Sequence, residues 1–481
     1  MKRYLTLLLA LLMVVMPLAA CSDTPDDDGN KGNVPGDSGT TSGDENAPPD
    51  TSEILDVQKT DLGGKFEILT PEILAYNYTA VDFDEPSDDA YENAMYVRNT
   101  KVEEYLGIEI HETEAALGDA LFKIFTTATQ GQSGDFDAVF NGMQSSAKAV
   151  GGGLCLPFDD MGYVNLDKAW WNRDCTDQLA LGGKHYMISG DIALSDKECI
   201  WLVYFTKDLI ESNKLENPYD LVDNNQWTWD KMHEMAGKAA YDANSNDVLD
   251  MSGNDIWGLT THSENWAAMW QSAGLKLITL DDYGIPQVSW NSERFVEVYN
   301  DITEFMTDAT CVSPSDDAFS KKAFASGSTL FTTEVVSHVR NFRSNEKDFG
   351  LVPFPKYDAS TDRYYSFVAL SSCVLMVGND NKNLERTSAV LETMGAYGRS
   401  DILPVYYEDQ LKSRFSRDER AADMLDIIFE YRSYDLGVFF DWGTAYSSLK
   451  TAGTNPAQLY ARLSRALNKE IEKSLSALGL F

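Results

Sequence analysis

The sequence predicts an α/β fold built on a parallel sheet. Apolar strand-like runs alternate with amphipathic helical stretches in the order βαβαβ over residues 65–140. Such an order favours parallel strands joined by right-handed crossover helices. Of the 481 residues, 43% are hydrophobic and 11% aromatic. A chain of this length and apolar content can form two or more domains, each with its own core.

The first three elements are indicated by local pattern. The segment KFEILT (65–70) is predicted to be a buried strand that follows the glycine pair at 63–64. Apolar residues in AMYVRNTKVEEYLG (94–107) fall on one helical face, and Gly107 supplies a stop signal at the end of that helix. The next segment, IEIHE (108–112), alternates like a second strand.

Later elements continue the alternation. Leu117, Leu121, Ile124, Phe125 and Ala128 recur at helical spacing, and DAVF (137–140) closes a third strand. A second group of helices and strands begins near residue 200, and the last hundred residues are predicted to be mostly helical. The further segments are predicted strands at 200–205, 330–336, 349–354 and 367–377 and predicted helices at 230–240 and 293–306.

The N-terminus has the features of a bacterial export signal. Residues 1–20 combine Lys2 and Arg3 with a short apolar stretch and end in two small residues, which is the pattern of a cleaved signal peptide. The sequence LAAC up to Cys21 resembles a lipobox, and such a cysteine carries a diacylglycerol. Two acyl chains give a stable membrane anchor. An ordinary cleaved signal with a chance cysteine is the alternative.

The segment after Cys21 is predicted to be a disordered acidic tether. Residues 21–60 contain no aromatic side chain and are rich in Asp, Gly, Ser, Thr, Asn and Pro. Such a composition buries too little apolar surface to offset the loss of chain entropy. The folded part of the protein is therefore expected to stand tethered on the extracytoplasmic face of the cell membrane.

Charge and motif content exclude several classes of function. The formal net charge is −37, and loss of Lys2 and Arg3 with the signal makes it two units more negative. Such a charge disfavours nucleic acid as a partner. No glycine-rich phosphate loop occurs, which argues against a nucleotide enzyme. The five cysteines after Cys21 have no metal or disulfide spacing and are predicted to be buried thiols; histidines at the spacing of a catalytic zinc site are lacking.

Several short motifs are spread over most of the chain in a fixed order. They are RNTKVEEYLGIEI (98–110), SGDFDAVF (133–140), GGKHYMISGD (182–191), VYFTKDLIE (203–211), NPYDLV (217–222) with QWTWDKM (226–232), and FASGSTLF (324–331) with DFGLVPFPKYD (348–358). Together these motifs resemble the extracellular solute-binding proteins of bacterial ABC importers, in particular the carbohydrate-type class.

This resemblance implies a two-lobed periplasmic-binding-protein-like fold with crossing hinge strands and a ligand cleft between the lobes. Crossings are expected near residues 200–205, 329–333 and 368–372. The expected division places 61–199 and 331–368 in the first lobe and 200–330 and 369–481 in the second. The implied function is delivery of a carbohydrate, expected to be an oligosaccharide, to an ABC permease by a monomeric receptor without catalytic residues.

A sugar-binding cleft needs aromatic rings for the C–H faces of the ligand and planar polar groups for its hydroxyls. Trp266 and Trp442 fall where similar maltodextrin binders place stacking aromatics, and Trp270 lies in the same polar stretch as Trp266. Each tryptophan is also a candidate core residue. The expected polar partners follow predicted strands and could instead cap a turn or helix. They are Asn141, Gln144, Asp191 and Glu334.

One acidic loop has partial calcium-loop spacing. Asp242, Asn244, Asn246 and Asp250 occupy positions 1, 3, 5 and 9 of an EF-hand pattern. Positions 6 and 12 depart from that pattern, so a solvated loop remains the alternative. If calcium binds here, its expected role is structural, and no other cofactor is expected.

Two other functions stay open at this stage. The same fold with an acidic cleft lacking stacking aromatics would suit a peptide or a polyamine. A surface-anchored glycoside hydrolase needs only two carboxylates about 5–10 Å apart. The many acidic residues of the chain permit such a pair, although no motif supports it.

Overall fold

The computed structural model describes Glu53, residues 55–74, 79–83, 85–342, 345, 347–411 and 418–480. The predicted signal peptide 1–20 and the lipidation site Cys21 lie outside these residues, as does most of the predicted tether. Asp50–Phe481 forms one compact unit. Among the described residues, none of the helices combines the length and the apolar character that spanning a bilayer requires.

The end of the predicted tether is part of the folded structure, which corrects the boundary at residue 60. Val57 is buried, and its carbonyl accepts a hydrogen bond from the Tyr105 hydroxyl at 3.0 Å. Asp56 forms an ion pair with Lys168, 2.8 Å between Oδ2 and Nζ. The composition of residues 21–60 indicates a tether only as an average over the whole segment. A single buried apolar residue, Val57, is enough to fix the end of this segment against the folded part.

The first lobe contains a four-stranded sheet in the order β11-β3-β1-β2. β1 pairs in parallel with both β2 and β3, and β11 runs antiparallel to β3. The βαβαβ order predicted from residues 65–140 is therefore confirmed. The strands are β1 (Lys65–Pro71), β2 (Glu109–Ala115), β3 (Ala138–Gly142) and β11 (Cys373–Met376).

The second lobe contains a mixed sheet in the order β5-β8-β4-β9. β4 pairs antiparallel with β8 and β9, and β5 is parallel to β8. These strands are β4 (Trp201–Thr206), β5 (Trp257–Thr260), β8 (Thr329–Val335) and β9 (Phe349–Pro353). Four short strands form two further ladders: β6 (Ile278–Leu280) with β7 (Pro286–Val288), and β10 (Ser366–Phe367) with β12 (Arg432–Ser433).

This pairing corrects the predicted division of the chain. Residues 331–368 were expected in the first lobe, but β8 and β9 both bond to β4 in the second sheet. The expected crossing at 329–333 is therefore wrong. Conversely, β11 joins the first sheet although 369–481 was assigned to the second lobe. The chain changes sheets before β4 and again between β10 and β11, close to the other two expected crossings.

Helices surround both sheets. Those from the first half of the chain are α1 (Ala90–Leu106), α2 (Asp119–Gln130), α3 (Met143–Gly151), α4 (Arg173–Leu179), α5 (Ser195–Glu198), α6 (Lys207–Ser212), α7 (Pro218–Asp223) and α8 (Trp229–Ala239). Those from the second half are α9 (Asn265–Ser272), α10 (Glu293–Met306), α11 (Asp317–Ser326), α12 (Val339–Phe342), α13 (Leu384–Tyr397), α14 (Leu403–Val405), α15 (Glu419–Glu430), α16 (Leu436–Phe440), α17 (Ala445–Leu449) and α18 (Pro456–Ala477).

Local chemistry explains where the longer helices begin and end. Asp89 caps α1 by accepting from the Tyr91 amide at 2.9 Å, and Gly107 ends that helix in the left-handed conformation. Thr228 caps α8 by accepting from the amide of Lys231. In α2 the predicted apolar face is narrower than expected, because Ile124 is 40% exposed. The five cysteines after Cys21 are buried, as predicted.

Candidate functional site

A polar cavity of about 330 Å³ lies where the chain passes between the two lobes. Its wall is formed by the start of β4, the end of β8, the segments that follow β5 and β10, and one face of α11. The lining residues are Trp201, His262, Glu264, Asp317, Lys321, Glu334, Val335, His338, Ala369 and Ser371.

Backbone hydrogen bonds hold the two crossing segments together at this cavity. Ile200 forms a bridge with Val368, and the Ala369 amide donates to the Cys199 carbonyl at 2.8 Å. The Leu370 carbonyl accepts from the amide of Met143, which follows β3 of the first sheet. The crossing segment that supplies Ala369 and Ser371 to the cavity wall is therefore bonded to the first lobe just after β3, whereas the other lining residues belong to the second lobe.

Trp201 supplies an aromatic wall of the cavity. Its ring lies 5.0 Å from the His262 ring, centroid to centroid, at an interplanar angle of 35°. The indole Nε1 donates to Glu264 Oε2 at 3.2 Å, and the same oxygen accepts from the Leu370 amide at 3.2 Å. Glu264 thus ties the first residue of β4 to the second crossing segment.

Ionisable groups face the aromatic wall. Lys321 Nζ is 3.1 Å from Asp317 Oδ2, both on α11. The Glu334 and His338 side chains are each 3% exposed, and His338 Nδ1 lies 3.5 Å from Glu334 Oε2. Glu334 Oε1 and His338 Nδ1 are buried and accept or donate no hydrogen bond within the described part of the chain. A bound ligand with hydroxyl or amine groups could satisfy these two atoms.

Burial disfavours the charged forms of two of these groups. Desolvation raises the pKa of the Glu334 carboxyl well above its usual range; the charge of Asp317 adds to this rise, and Lys321 opposes it. Desolvation also lowers the pKa of His338 to about 3. A protonated carboxyl can donate as well as accept, so the cavity offers both kinds of hydrogen bond to an uncharged polar ligand.

Glu334→Gln is expected to flatten the fall of the unfolding free energy as pH rises above the ordinary carboxyl pKa of about 4.3. The unfolded carboxyl loses its proton near that pKa, whereas the folded carboxyl, with its raised pKa, keeps the proton to higher pH. Folded protein therefore binds more protons above that pH, and stability falls by up to about 1.4 kcal/mol per pH unit for this one group. The amide imitates the protonated carboxyl and removes this contribution.

The measurement is urea unfolding of both proteins at pH 5, 6 and 7. Burial also raises the pKa of Glu112 and Glu392 to about 7 each, but these groups are present in both proteins and cancel in the difference. Equal slopes in the two proteins would show that Glu334 is ionised in the folded state.

Of the polar residues predicted to bind ligand, the structure places only Glu334 in this cavity. The Asn141 side chain is buried and accepts from the amides of Gly118 and Gly142 at 3.0 and 2.8 Å. Gln144 Nε2 lies 3.5 Å from the Val438 carbonyl. The Asp191 carboxylate is 3% exposed and lies 2.9 Å from Lys197 Nζ. These three side chains bond within the protein and do not line the cavity.

The three predicted stacking tryptophans are also outside the cavity. Trp266 is 5% exposed and packs on Tyr299 with ring centroids 5.6 Å apart. Trp270 is fully buried in the core. Trp442 is stacked on Phe440 at 4.2 Å, and its Nε1 donates to Ser474 Oγ at 3.0 Å. The described positions of these rings correspond to the core alternative raised for each tryptophan.

In the acidic loop, the predicted calcium ligands bond mainly to the loop itself. Asp242 accepts from the amides of Asn244 and Asp247 at 3.1 and 2.7 Å. Asn246 Nδ2 donates to Asp250 Oδ2 at 3.1 Å. Calcium binding at Asp242, Asn244, Asn246 and Asp250 stays a prediction.

Sequence reasoning missed most of the cavity. Trp201 lies in a predicted apolar strand, and Glu264 lies in the stretch SENWAAMWQ, in which only the tryptophans are predicted to bind ligand. α9 turns Trp266 and Trp270 into the core, whereas Glu264 at its N-terminus reaches the cavity. The criterion that found Glu334, a polar residue associated with a predicted strand, does not find His262, because the short strand β5 that precedes it is not predicted from the sequence.

Two lobes of α/β structure with a polar cavity at their crossing define a class of receptor that encloses a small solute. The model of the family of bacterial extracellular solute-binding proteins matches residues 99–396. The chain belongs to this family. No curated protein matches the chain in sequence.

Solved structures share the fold at low sequence identity. One is the ABC substrate-binding protein Lmo0181 from Listeria monocytogenes in complex with cycloalternan, at 12% identity over 87% of this chain and 100% of that chain, TM-score 0.53. Another is the GacH receptor of Streptomyces glaucescens GLA.O, solved unliganded and with acarbose, at 13% identity over 86% and 99%, TM-score 0.53. A third is UgpB from Mycobacterium tuberculosis with glycerophosphocholine, at 14% identity over 81% and 98%, TM-score 0.55.

Proposed function

We propose that this protein is a lipid-anchored receptor that captures a carbohydrate, in particular an oligosaccharide, outside the cytoplasmic membrane and delivers it to an ABC permease. The observation that carries the proposal is the cavity at the lobe crossing, where Trp201 lies beside both hydrogen-bond donors and hydrogen-bond acceptors. An aromatic face beside planar polar groups is the arrangement that sugar rings and their hydroxyls require.

The chemistry of the cavity supports a largely uncharged ligand. Burial favours the neutral forms of Glu334 and His338, and Lys321 is paired with Asp317. Glu264 and Asp317 would repel an anionic ligand, and the one lysine among the lining residues, Lys321, is already paired with Asp317. Two solved structures with this fold hold cycloalternan and acarbose, which supports a carbohydrate ligand. Another holds glycerophosphocholine, so the fold alone does not decide the class of ligand.

A cationic ligand is the second candidate. Three carboxyl groups line the cavity against the one lysine, and that excess of acid favours a polyamine or the amino end of a peptide. The Trp201 ring suits the C–H face of a sugar, but it would also attract an ammonium group by cation–π interaction, so the binding experiment has to distinguish the two ligands.

The proposed cycle uses motion between the lobes. A ligand that contacts both lobes shifts an open and closed equilibrium by its differential affinity for the closed state. Glu264 is suited to this role, because its Oε2 already joins Trp201 of β4 to Leu370 of the second crossing segment. The closed form would then dock on the permease as a monomer, with no chemical change to the solute.

The test is calorimetric and thermal-shift titration of the chain from Asp50 to Phe481, which forms one compact unit. The panel contains neutral oligosaccharides, spermidine and short peptides. Saturable binding of one oligosaccharide class is expected, with stabilisation of about 2.7 kcal/mol at a ligand concentration 100-fold above Kd. Chromatography of the ligand afterwards should recover it intact.

Two outcomes would contradict the proposal. If only spermidine or peptides stabilise the protein, the receptor function stands but the ligand is a cation and not a sugar. A shortened glycan would indicate a hydrolase. Lipid anchoring is tested separately in the full chain: incorporation of labelled palmitate should be lost in Cys21→Ser, and retained label would place the lipid elsewhere.

A further inference from the structure

A second cluster of polar side chains lies in the second lobe, outside the ligand cavity. His233 is on α8, whereas Asp308 and Cys311 are on the turn that follows α10. One potential ligand atom from each of the three residues lies within 4.8 Å of the other two. A nitrogen, an oxygen and a sulfur, each of a type that binds metal ions, thus converge from two separate elements.

The carboxylate of Asp308 is oriented toward the other two groups. Its Oδ1 accepts from the Thr310 amide at 3.0 Å and from the Thr310 hydroxyl. Its Oδ2 is 2.8 Å from His233 Nε2 and 3.6 Å from Cys311 Sγ. Thr310 therefore holds one oxygen and leaves the other facing both the imidazole and the thiol. Partners that orient a ligand in this way are a regular feature of metal sites.

The spacing is close to that of a zinc site. Zinc binds nitrogen and oxygen at about 2.0–2.2 Å and sulfur at about 2.3 Å with tetrahedral geometry, which separates neighbouring ligand atoms by roughly 3.3–3.7 Å. The oxygen–sulfur distance already has this value, and the oxygen–nitrogen distance must lengthen by less than about 1 Å. Rotation of the half-exposed His233 side chain supplies such a change without moving the backbone.

The backbone around the site is well supported. The Cys311 carbonyl accepts from the amides of Gly258 and Leu259 at 3.0 and 2.9 Å, which fixes the cysteine against β5. The His233 ring packs on Phe305 with centroids 5.0 Å apart. Cys311 is buried, whereas the side chains of His233 and Asp308 are 36% and 28% exposed. The cluster thus has a fixed inner ligand and an outer side open to solvent.

We propose that His233, Asp308 and Cys311 bind one thiophilic divalent cation, with Zn²⁺ as the representative ion and water as the fourth ligand. A neighbouring cavity of about 430 Å³, lined in part by His233, leaves room for that water and for entry of the ion. The thiol releases its proton to solvent as the sulfur–metal bond forms, and His233 coordinates through Nε2 with its remaining proton on Nδ1.

The bound ion would link α8 to the turn after α10 and stabilise the second lobe. Because the ligands are not in the solute cavity, this role is independent of the proposed transport function. The sequence argues against a catalytic zinc site, because it lacks paired histidines. Local spacing does not indicate the site proposed here, because His233 and Asp308 lie 75 residues apart in the chain.

The test uses the chelator-treated chain from Asp50 to Phe481, titrated with ZnCl₂ by calorimetry and with CoCl₂ by absorption spectroscopy. We expect one ion per chain, a thiolate-to-cobalt charge-transfer band and a higher Tm with zinc. Cys311→Ser should abolish the band, and Cys311→Ser and His233→Gln should each weaken zinc affinity at least about 10-fold. His233→Gln changes a half-exposed residue, so it stays informative if Cys311→Ser fails to fold.

The matched control is His185→Gln. His185 also pairs with a carboxylate, 2.9 Å between Nδ1 and Asp159 Oδ1, but has no cysteine in the cluster. Zinc affinity should be unchanged in this variant. The proposal is overturned by absence of stoichiometric binding, by binding that survives both His233→Gln and Cys311→Ser, or by equal loss in His185→Gln.

Discussion

Trp201→Ala is expected to weaken ligand binding by about 30-fold or more, because truncating a buried aromatic anchor commonly costs 2 kcal/mol or more of binding free energy. The variant removes both the ring that faces the cavity and the indole donor to Glu264 Oε2. It should also lower the free energy of unfolding by about 3–5 kcal/mol, since Trp201 is only 3% exposed. Affinity is measured by calorimetry at a temperature where the variant is folded.

Trp266→Ala is the matched control for this prediction. Trp266 is equally buried in the same lobe but packs on Tyr299 away from the cavity. Its loss should destabilise the protein by a similar amount and leave ligand affinity within about twofold, as expected for a site without shared contacts. Retained affinity in Trp201→Ala, or a larger loss in Trp266→Ala, would show that the ligand binds elsewhere.

Asp196→Ala is expected to lower the free energy of unfolding by about 3–5 kcal/mol, because it leaves a buried charge without its partner. Asp196 is on α5, just before the first crossing, and its side chain is fully buried. It forms an ion pair with Arg432, accepts from Asn172 Nδ2 at 2.8 Å and lies 3.4 Å from Lys197 Nζ. Urea denaturation with linear extrapolation measures the loss.

Arg420→Ala is the control for the ion pair. Arg420 pairs with Asp220 and Asp223 at 3.1 and 2.7 Å, but these side chains are 38–62% exposed. Its loss should cost no more than about 1 kcal/mol. The double variant Asp196→Leu with Arg432→Met should recover part of the stability lost in Asp196→Ala, because no buried charge is then unpaired. Comparable losses of unfolding free energy in Asp196→Ala and Arg420→Ala would contradict a larger contribution of the buried ion pair to stability.

The first half of the fold follows from short-range pattern. Strand alternation and helical spacing predict β1, α1, β2, α2 and β3, and the structure pairs these strands as parallel neighbours. The same reasoning located β8 and β9 as strands but assigned them to the other lobe. Their register with β4 is set by contacts more than a hundred residues apart in the chain, which no local period reports.

Tryptophan content is a weak guide to the site for a related reason. A local sequence shows that a large ring is present but not which side of its helix meets the core. In α9 the rings of Trp266 and Trp270 are buried, while Glu264 at the helix start lines the cavity. A ring in a predicted strand, Trp201, forms the aromatic wall, because the strand begins where the chain leaves the first lobe.

Local sequence pattern is enough to predict the α/β class, the export signal pattern, the resemblance to solute-binding proteins and one cavity residue, Glu334. Each depends on composition or on periods of a few residues, and such signals are local. The sheet that each later strand joins, the groups that line the cavity and the cluster of His233, Asp308 and Cys311 are seen only in the folded structure. Those features depend on pairing between distant segments, where burial and charge are set by neighbours that the linear sequence does not specify.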